Sequence, residues 1–401
     1  MDAGLRQQLS SSARKELYEN IIPFWIKYTP DTENDGFFGR IHNNLEIERT
    51  ADKGLVLNAR ILWTFSAILS HSKEANAECL KMADRAYNYL VDRFCDKKYG
   101  GCHWLLNYKG EPVDAHKKLY GQAFAVYALA EYYHATRNTA ALDLARKIFS
   151  LIEAHDYDNI NRGYLQPSDS DWSLIKNGDP VRSDIDEKKS MNVHLHLMEA
   201  YATLYRVWPD ELLKKRLQEL IDLHMGTIVN YQTHHLIIFF DELWQPKSKV
   251  ISYGHDIEGS WLLCEAAEIL GVKSLRDKVQ TKAIQMVDAV ISEGLSKKFF
   301  IFYERDEKGV IHEQTDWWQQ AESVVGLVNA WQLTGKERYL ELADKMWQNI
   351  IEVFADRQYG EWFYTVKADG KPELNQYKVS EWKCPYHNVR SCLEIMRRLK
   401  Q

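Results

Sequence analysis

One histidine has neighbouring residues that could support proton transfer. His196 follows Asn192 by four residues and precedes Glu199 by three, so on a helix these three side chains share one face. His194 points about 160° away at roughly 100° per residue, so the H-x-H pair does not fit a zinc site on a helix. The neighbours of His196 therefore favour acid–base chemistry or hydrogen bonding over metal binding.

Two further histidines lie in distinctive segments. His255 in SYGHDIEGSW precedes a predicted helix start and has Glu258 three residues later. A carboxylate there could hold one imidazole nitrogen and leave the other free to move a proton. A helix cap at Asp256, with an acid in the first turn, explains the same segment equally well. His387 in WKCPYHNVR follows a proline suited to a first helical turn, and Trp382 stands just before it.

Other polar and aromatic residues complete a candidate site. They are Arg60, Tyr120, Trp317, Trp318 and Glu322. Histidines with an arginine, an asparagine and stacking tryptophans suit reversible removal of a carbon-bound proton beside a carbonyl, with the cations stabilising enediolate oxygens. Among enzymes, the alternative is an inverting glycosidase, which uses two carboxylates. No P-loop, GxGxxG, G-x-S-x-G or H-E-x-x-H motif is present, and no recognisable base accompanies Cys384.

The elements that must position these residues repeat along the chain. Six short aromatic, strand-like segments start at residues 36, 100, 163, 234, 298 and 360, about 65 residues apart. Pairs of segments with helical apolar periodicity lie between them, twelve helices in all. The first and last helices are as apolar as the others, whereas an open solenoid needs polar caps. The sequence therefore predicts an all-α, closed (α/α)6 barrel with β-hairpins or extended loops between the pairs.

Alternate helices of such a ring form its inner layer. Their predicted starts are near residues 55, 117, 190, 256, 317 and 385. The candidate residues fall in these first turns, so we expect them to converge at one end of the barrel, where helix N-termini favour an anion. No linker interrupts the pattern, so residues 1–401 are predicted to form one catalytic domain. The longest structureless stretch, 166–189, is predicted to be functional.

Composition narrows the function class. The net charge is −6, which offers no basic surface for nucleic acid or an anionic membrane. No stretch approaches 18 consecutive apolar residues, and the first residues lack a signal-peptide pattern. Six cysteines form no C-x-x-C pair, so we expect free thiols in a reducing, cytoplasmic protein. A monomer or weak dimer acting on a small molecule is the expected form.

Six motifs together resemble the N-acylglucosamine 2-epimerase family over nearly the whole chain. They are KGLVLNARILW (53–63), YGQAFAVYALAEYY (120–133), SMNVHLHLMEAYATLYRVW (190–208), SYGHDIEGSWLL (252–263), WWQQAESVVGLVNAW (317–331) and WKCPYHNVRSCLE (382–394). The resemblance implies an (α/α)6 barrel that needs neither metal nor nicotinamide. It is closest to family members that interconvert gluco and manno configurations at C2 of the reducing sugar of β-1,4-linked disaccharides such as cellobiose and lactose.

The resemblance also implies a role for each candidate residue. His255 and His387 match the family's acid–base pair, which acts through ring opening, C2 proton abstraction and a cis-enediolate. His196 matches the histidine that assists at O1 and O2, and Glu258 matches the partner of the second histidine. The residues that match sugar-binding or stacking positions are Arg60, Asn192, Trp317, Trp318 and Trp382, the last as a platform for the second sugar. Tyr120 and Glu322 are predicted to bind substrate because they lie in the same first turns.

Two departures from the family pattern leave the substrate open. Val389 replaces the glycine of a usual H-N-G-R motif, and the loop 179–190 reads DPVRSDIDEKKS, with Asp184 where the family often has a substrate-facing aspartate. A changed loop could favour free mannose and glucose, as in mannose 2-epimerases, and an aldose–ketose isomerase is a third possibility. Outside the epimerases, an inverting glycosidase or a non-catalytic carbohydrate-binding toroid stays open.

Overall fold

Two concentric layers of helices make up the computed structural model of the protein. The structure describes residues 2–71, 77–166, 168–175, 187–310 and 315–400. Asp184 and most of the loop 179–190 lie outside the described residues. No described helix combines the length and the apolar character that crossing a membrane requires.

The inner layer contains every second helix. It consists of α3 (Leu55–His71), α5 (Leu119–Thr136), α7 (Met191–Val207), α9 (Tyr253–Leu270), α11 (Trp317–Thr334) and α13 (Tyr386–Arg398). Each inner helix packs against the next, and α13 packs against α3. Fourteen of the 17 residues of α3 are buried, which reflects contact on both faces. The ring is closed, and the predicted (α/α)6 barrel is confirmed.

The outer layer is amphipathic. It consists of α1 (Asp2–Glu16), α2 (Ile22–Tyr28), α4 (Ala77–Tyr89), α6 (Thr139–His155), α8 (Glu211–Leu223), α10 (Lys273–Gly294) and α12 (Glu337–Val353). A π-helical turn joins α1 to α2, and similar turns end α4 and α8. Because α1 packs on α13, the first outer helix covers the last inner one.

Short antiparallel strands connect the pairs. They are β1 (Ile41–His42), β2 (Lys53–Gly54), β3 (Leu105–Leu106), β4 (Pro112–Asp114), β5 (Lys189–Ser190), β6 (Phe239–Phe240), β7 (Ile251–Ser252), β8 (Glu304–Asp306), β9 (Gly309–Val310), β10 (Thr315–Asp316), β11 (Thr365–Val366) and β12 (Tyr377–Val379). They form the sheets β1–β12, β2–β3–β4, β5–β6, β7–β8–β9 and β10–β11. Four of these strands, β2, β5, β7 and β10, lead directly into inner helices, so they set where those helices begin.

A similar turn follows each outer helix, one residue shorter in the fifth repeat than in the others. Its two sides meet in an isolated bridge in all six repeats: Pro30–Phe37, Cys95–Cys102, Tyr157–Tyr164, Val229–Leu236, Leu295–Ile301 and Ala355–Trp362. In four repeats a buried aspartate at the turn pairs with a buried lysine just before the next inner helix: Asp31–Lys53, Asp96–Lys117, Asp158–Lys189 and Asp356–Lys378. The strand-like segments of the sequence are one side of this turn.

Candidate active site

The first turns of the inner helices surround a cavity of about 300 Å³. The predicted residues that line it are Arg60, Tyr120, Asn192, His196, His255, Glu258, Trp317, Trp318, Trp382 and His387. Glu322 lies behind His387, in contact with its ring. The expectation that these side chains converge at one end of the barrel agrees with this geometry.

A buried carboxylate supports His387. Its Nδ1 is 2.7 Å from Oε1 of Glu322, and both residues are almost fully buried. Trp261 donates its indole N–H to the other oxygen of Glu322 at 3.1 Å, which fixes the carboxyl group. Since Nδ1 is engaged, Nε2 is the ring nitrogen left for a molecule in the cavity.

The partner of His255 differs from the one we predicted. The Nδ1 of His255 is 2.8 Å from the hydroxyl of Ser252, whereas Glu258 accepts a hydrogen bond from Arg390. α9 begins at Tyr253 rather than near 256, so His255 lies inside its first turn. Asp256 is not a helix cap either, because it accepts hydrogen bonds from His235 and the backbone N–H of Leu236. Ser252 occupies the N-cap position, yet its hydroxyl serves the imidazole and caps no backbone N–H.

His196 has the partner that its spacing indicates. Its Nδ1 is 2.9 Å from Oε2 of Glu199, one turn further along α7. The other oxygen of Glu199 accepts the hydroxyl proton of Tyr386 at 2.6 Å. Glu199 therefore ties the third histidine to α13, the helix that carries His387.

Arg390, which the sequence analysis missed, connects the three carboxylates. Its guanidinium donates to Glu199 and Glu258, and to Oε1 of Glu322 at 2.7 Å. It lies one turn after His387 on α13, so the i, i+3 spacing within HNVR was the available signal. Glu258 is thus held by Arg390 and lies 4.0 Å from the Nδ1 of His387, which corrects its expected pairing with His255.

Burial keeps both candidate acid–base histidines neutral. Desolvation lowers the pKa of His255 to about 4, although Glu258 opposes the shift. Desolvation, together with the charges of Arg60 and Arg390, also lowers the pKa of His387 well below its usual value. Both imidazoles are therefore unprotonated near neutral pH, the state in which a ring nitrogen can act as a base.

The carboxylates differ from one another in proton affinity. Desolvation raises the pKa of Glu322 to about 8, against the opposing effect of Arg390, and nearby Glu258 adds to the rise. Desolvation would also raise the pKa of Glu199, but Arg390 and His196 outweigh it and lower that pKa to about 2. The cluster thus holds one proton beside His387.

Arg60 brings a positive charge to the cavity. Its guanidinium donates to the Tyr120 hydroxyl at 2.9 Å and lies 4.3 Å from the centre of the Phe124 ring. Among the described residues, no carboxylate forms an ion pair with Arg60. Cys384, whose sulfur is 3.8 Å from this guanidinium, is a buried neighbour of it. The free charge suits a ligand oxygen that becomes negative.

Aromatic side chains form the remaining wall. Both Trp317 and Trp318 line the cavity, in agreement with their prediction as site residues. Trp382 is 43% exposed and separates this cavity from an outer cleft of about 670 Å³, which Trp104 also lines. The sequence analysis missed Trp104 and three further lining residues: Tyr303, Asp316 and Tyr364. Trp104, Tyr303 and Tyr364 lie in the recurring aromatic segments that start at residues 100, 298 and 360, so that repeat was the available signal; Asp316 directly precedes Trp317.

One group of side chains has the composition of a metal site. Ligand atoms of Glu258, Glu322 and His387 lie within 4.8 Å of one another. Arg390 donates to both carboxylates of this group, so a cation already occupies the position that balances their charge. The arrangement suits a hydrogen-bonded proton site better than a divalent ion.

Comparison with known proteins identifies the family of the chain. The N-acylglucosamine 2-epimerase (GlcNAc 2-epimerase) family model matches residues 36–391. The chain belongs to this family. The resemblance seen in the motifs is confirmed.

Relatives within the epimerase family match over their whole length. The chain is 41% identical to the cellobiose 2-epimerase of Bacteroides fragilis, covering 99% of this chain and 100% of that one. It is 37% identical to the cellobiose 2-epimerase of Ruminococcus albus, covering 97% and 98%. The structure of cellobiose 2-epimerase from Bacillus thermoamylovorans B4167 has a TM-score of 0.92 at 36% identity, covering 98% and 100%.

Proposed function

We propose that this family member epimerises the reducing-end sugar of a β-1,4-linked disaccharide at C2, interconverting the gluco and manno configurations. One observation carries the proposal: two neutral imidazoles, a buried one on His387 and a partly exposed one on His255, line one cavity beside Arg60, which has no carboxylate partner among the described residues. The rings of His255 and His387 both contact Trp318, with centroid distances of 4.8 and 5.7 Å. This arrangement supplies two proton-transfer groups and a stabilising charge at one place.

The reaction begins with the open-chain sugar, whose C1 carbonyl makes the C2 proton acidic. In one direction His255 removes that proton through Nε2 while Ser252 accepts a hydrogen bond from Nδ1–H. The electron pair moves onto O1, giving a cis-enediolate whose oxygens Arg60 and His196 stabilise. Rotation about C2–C3 then presents the opposite face of C2.

The proton that completes the reaction comes from the other histidine. With Glu322 protonated, His387 accepts its hydrogen bond at Nδ1 and carries its own proton on Nε2. Nε2 protonates C2 while the Glu322 proton moves to Nδ1, so each proton has one donor and one acceptor. The reverse direction exchanges the roles of His255 and His387. No step requires a metal or nicotinamide, and turnover is expected to survive exhaustive EDTA treatment.

The outer cleft supports a disaccharide substrate. Trp382 offers an exposed aromatic face where the cleft meets the catalytic cavity, and its ring lies 6.2 Å from that of Trp104. Sugar rings stack on such faces through their apolar C–H groups. Free mannose would leave this cleft empty. An aldose–ketose isomerase would use the same enediolate but protonate it at C1.

Product analysis after incubation in D2O tests the proposal. Cellobiose is expected to give glucosylmannose with deuterium at C2. Turnover of mannose alone would preserve the chemistry and overturn the disaccharide assignment, and a ketose as main product would favour isomerisation. Free glucose released from cellobiose would instead indicate a glycosidase. Against that outcome, Glu199, Glu258 and Glu322 are each engaged by Arg390.

The variant Trp382→Ala tests the second-sugar platform. We expect kcat/KM to fall by about tenfold or more for cellobiose, because one stacked ring contributes roughly 1–3 kcal/mol, and to change little for mannose. Tyr231→Ala, at a residue 83% exposed and outside the lining of both cavities, is the matched control. Equal losses with both sugars would contradict the platform.

A further inference from the structure

The second repeat carries two cysteines where the other five repeats carry other residue types. Cys95 and Cys102 occupy the two sides of its turn, at the position of Val229 and Leu236 in the fourth repeat. Pairs without sulfur fill the same position in the other repeats, so packing at this turn does not require cysteine. The presence of two sulfurs across one bridge therefore points to chemistry between them.

The backbone holds the two cysteines in a geometry that permits a bond. Asp96 N–H donates to Gly101 O at 2.9 Å, and His103 N–H donates to Phe94 O at 2.9 Å. These bonds flank the Cys95–Cys102 pair, which is thus a non-hydrogen-bonded antiparallel pair. Such pairs place their Cα atoms about 4.5 Å apart, at the short end of the 4.4–6.8 Å range of disulfides.

The two thiols also differ in reactivity. A hydrogen bond from Cys102, assisted by the charges of Lys97 and Lys117 against desolvation, lowers the pKa of the Cys95 thiol. The same hydrogen bond and burial raise the pKa of Cys102 well above its usual value. Cys95 is also the more accessible, 8% exposed against 0% for Cys102. Cys95 is the attacking thiol and Cys102 the resolving one.

We propose that Cys95 and Cys102 form a reversible dithiol–disulfide site that reacts with small-molecule disulfides. The Cys95 thiolate attacks one sulfur of a reagent such as oxidised glutathione, forming a mixed disulfide and expelling one thiolate. Cys102 then loses its proton and attacks the Cys95 sulfur, expelling the second thiolate. The two electrons lost by the cysteines reduce the reagent to two thiols, so the exchange balances.

The site is linked to the cavity wall. The side-chain amide of Gln122, in the first turns of α5, accepts from Cys102 N–H at 2.9 Å and donates to Cys102 O at 2.8 Å. Trp104, two residues after Cys102, lines the outer cleft. Because these two hydrogen bonds already fix the backbone of Cys102, forming the disulfide needs little backbone movement. The catalytic cavity is therefore expected to stay intact.

Mass spectrometry of the whole native protein treated with oxidised glutathione tests the site. We expect a loss of two hydrogens, a disulfide-linked peptide pair containing Cys95 and Cys102, and full reversal by dithiothreitol. The thermal midpoint of the oxidised protein should rise by roughly 2–5 °C, since the cross-link restricts the unfolded chain. Cys79→Ala, elsewhere in the fold, should leave all four of these responses to the reagent unchanged.

Variants separate this proposal from general thiol oxidation. Cys102→Ala should stop at a mixed disulfide on Cys95, one glutathione per chain, with no rise in midpoint. Cys95→Val places at this position the residue that the fourth repeat has there, so it should fold and resist the reagent. A stable mixed disulfide in the wild-type protein, or thiols at 95 and 102 that stay alkylatable after treatment, would overturn the proposal.

Discussion

At the residue scale, the two histidines proposed to transfer protons, His255 and His387, differ in the group that contacts Nδ1 of each ring. A hydroxyl can accept from or donate to an imidazole nitrogen, so Ser252 can accompany either neutral tautomer of His255. An ionised carboxylate only accepts, whereas a protonated one donates, so the state of Glu322 sets the tautomer of His387. In the proposed mechanism, the base His255 can change its tautomer, whereas the donor His387 depends on the proton of one carboxyl group, that of Glu322.

Removal of either imidazole should stop C2 chemistry. We expect His255→Ala and His387→Ala to lower kcat by about 10²–10⁴, since each deletes one proton-transfer group. Deuterium incorporation at C2 in D2O, followed by NMR, is the measurement. His155→Ala, at an exposed histidine on α6, is the matched control. Substantial exchange in either active-site variant, with the fold intact, would refute the acid–base assignment.

The pKa values predict the pH profile. As pH falls through about 4, His255 gains a proton and ceases to be a base, so kcat/KM should fall on the acid side. As pH rises through about 8, the proton held by Glu322 is lost and the donor fails. We therefore expect a plateau between roughly pH 5 and 7 with macroscopic limbs near 4 and 8.

Glu322→Gln tests the assignment of the alkaline limb. An amide cannot release a proton in this range, so kcat should fall and that limb should vanish while the acid limb stays. A limb near 6.5, the ordinary pKa of histidine, would contradict the effect of burial. An unchanged alkaline limb in this variant would remove Glu322 from the proton path.

Spacing along one helix predicted contacts within that helix and failed for contacts between helices. The His196–Glu199 bond follows from i, i+3 spacing and was within reach of the sequence. The same spacing suggested that Glu258 serves His255, but Arg390 from α13 binds that carboxylate instead. Arg390 lies more than 130 residues after Glu258 in the chain, and no local sequence pattern links the two. The contacts of Arg390 with its three carboxylates could therefore not be predicted.

At the element scale, the repeated turn fixes where each inner helix begins. Lys189 donates to Asp158 at 2.8 Å and to the carbonyl oxygens of Arg162 and Glu242 at 2.7 and 3.0 Å. It stands two residues before Met191, the first residue of α7. One buried ammonium therefore joins the turn after an outer helix to the start of the next inner helix.

Loss of that ammonium should be costly. Lys189→Met leaves Asp158 buried without its partner, and we expect the free energy of unfolding to fall by about 3–5 kcal/mol. Urea denaturation is the measurement. The control is Lys249→Met, whose partner Glu307 is 71% exposed and whose loss should cost less than about 1 kcal/mol. Similar costs for the two variants would show that the buried pair has no special structural role.

The helices were easier to predict than the turns. Apolar periodicity placed the starts of α3 and α11 at Leu55 and Trp317, as observed. It placed the start of α9 three residues late, because β7 feeds directly into the helix through Ser252 and Tyr253. The aspartate–lysine pairs went unnoticed because the two partners lie 21–31 residues apart and only the folded turn brings them together.

At the scale of the whole molecule, the ring closes through a buried carboxylate. Glu361 accepts from Lys383 at 2.7 Å and from Asn388 of α13 at 2.6 Å, and from the indole N–H of Trp25 in α2. It is fully buried. The outer helix α2 and the last inner helix, α13, are therefore held at one point, and Asn388 there is next to His387 in the chain.

Neutralising this carboxylate should loosen the closure. Glu361→Gln leaves the buried ammonium of Lys383 without a counter-charge, so we expect a loss of about 3–5 kcal/mol in the free energy of unfolding and a lower kcat. Urea unfolding and C2 exchange are measured together. Glu373→Gln, at a half-exposed pair with Lys367, is the control. Unchanged stability in Glu361→Gln would contradict the role of this contact.

The architecture and the family could be predicted from the sequence, and both predictions are confirmed. The first and last helices are as apolar as the others, which was the physical reason to expect a closed ring. The packing of α13 against α3 confirms it. The cytoplasmic location and the monomeric or weakly dimeric state stay predictions. The role of loop 179–190 also stays a prediction, since Asp184 lies outside the described residues.

Closure by α13 has a consequence for biosynthesis. As the chain leaves the ribosome, five inner helices emerge before α13, and until then the exposed flanks of α3 and α11 have no neighbour. His387 and Arg390 emerge with that sixth helix. A nascent or prematurely stopped chain therefore lacks one of the two histidines proposed to transfer protons and exposes apolar flanks of the kind that make incomplete chains prone to aggregate. Only a chain synthesised through α13 closes the ring and carries both histidines.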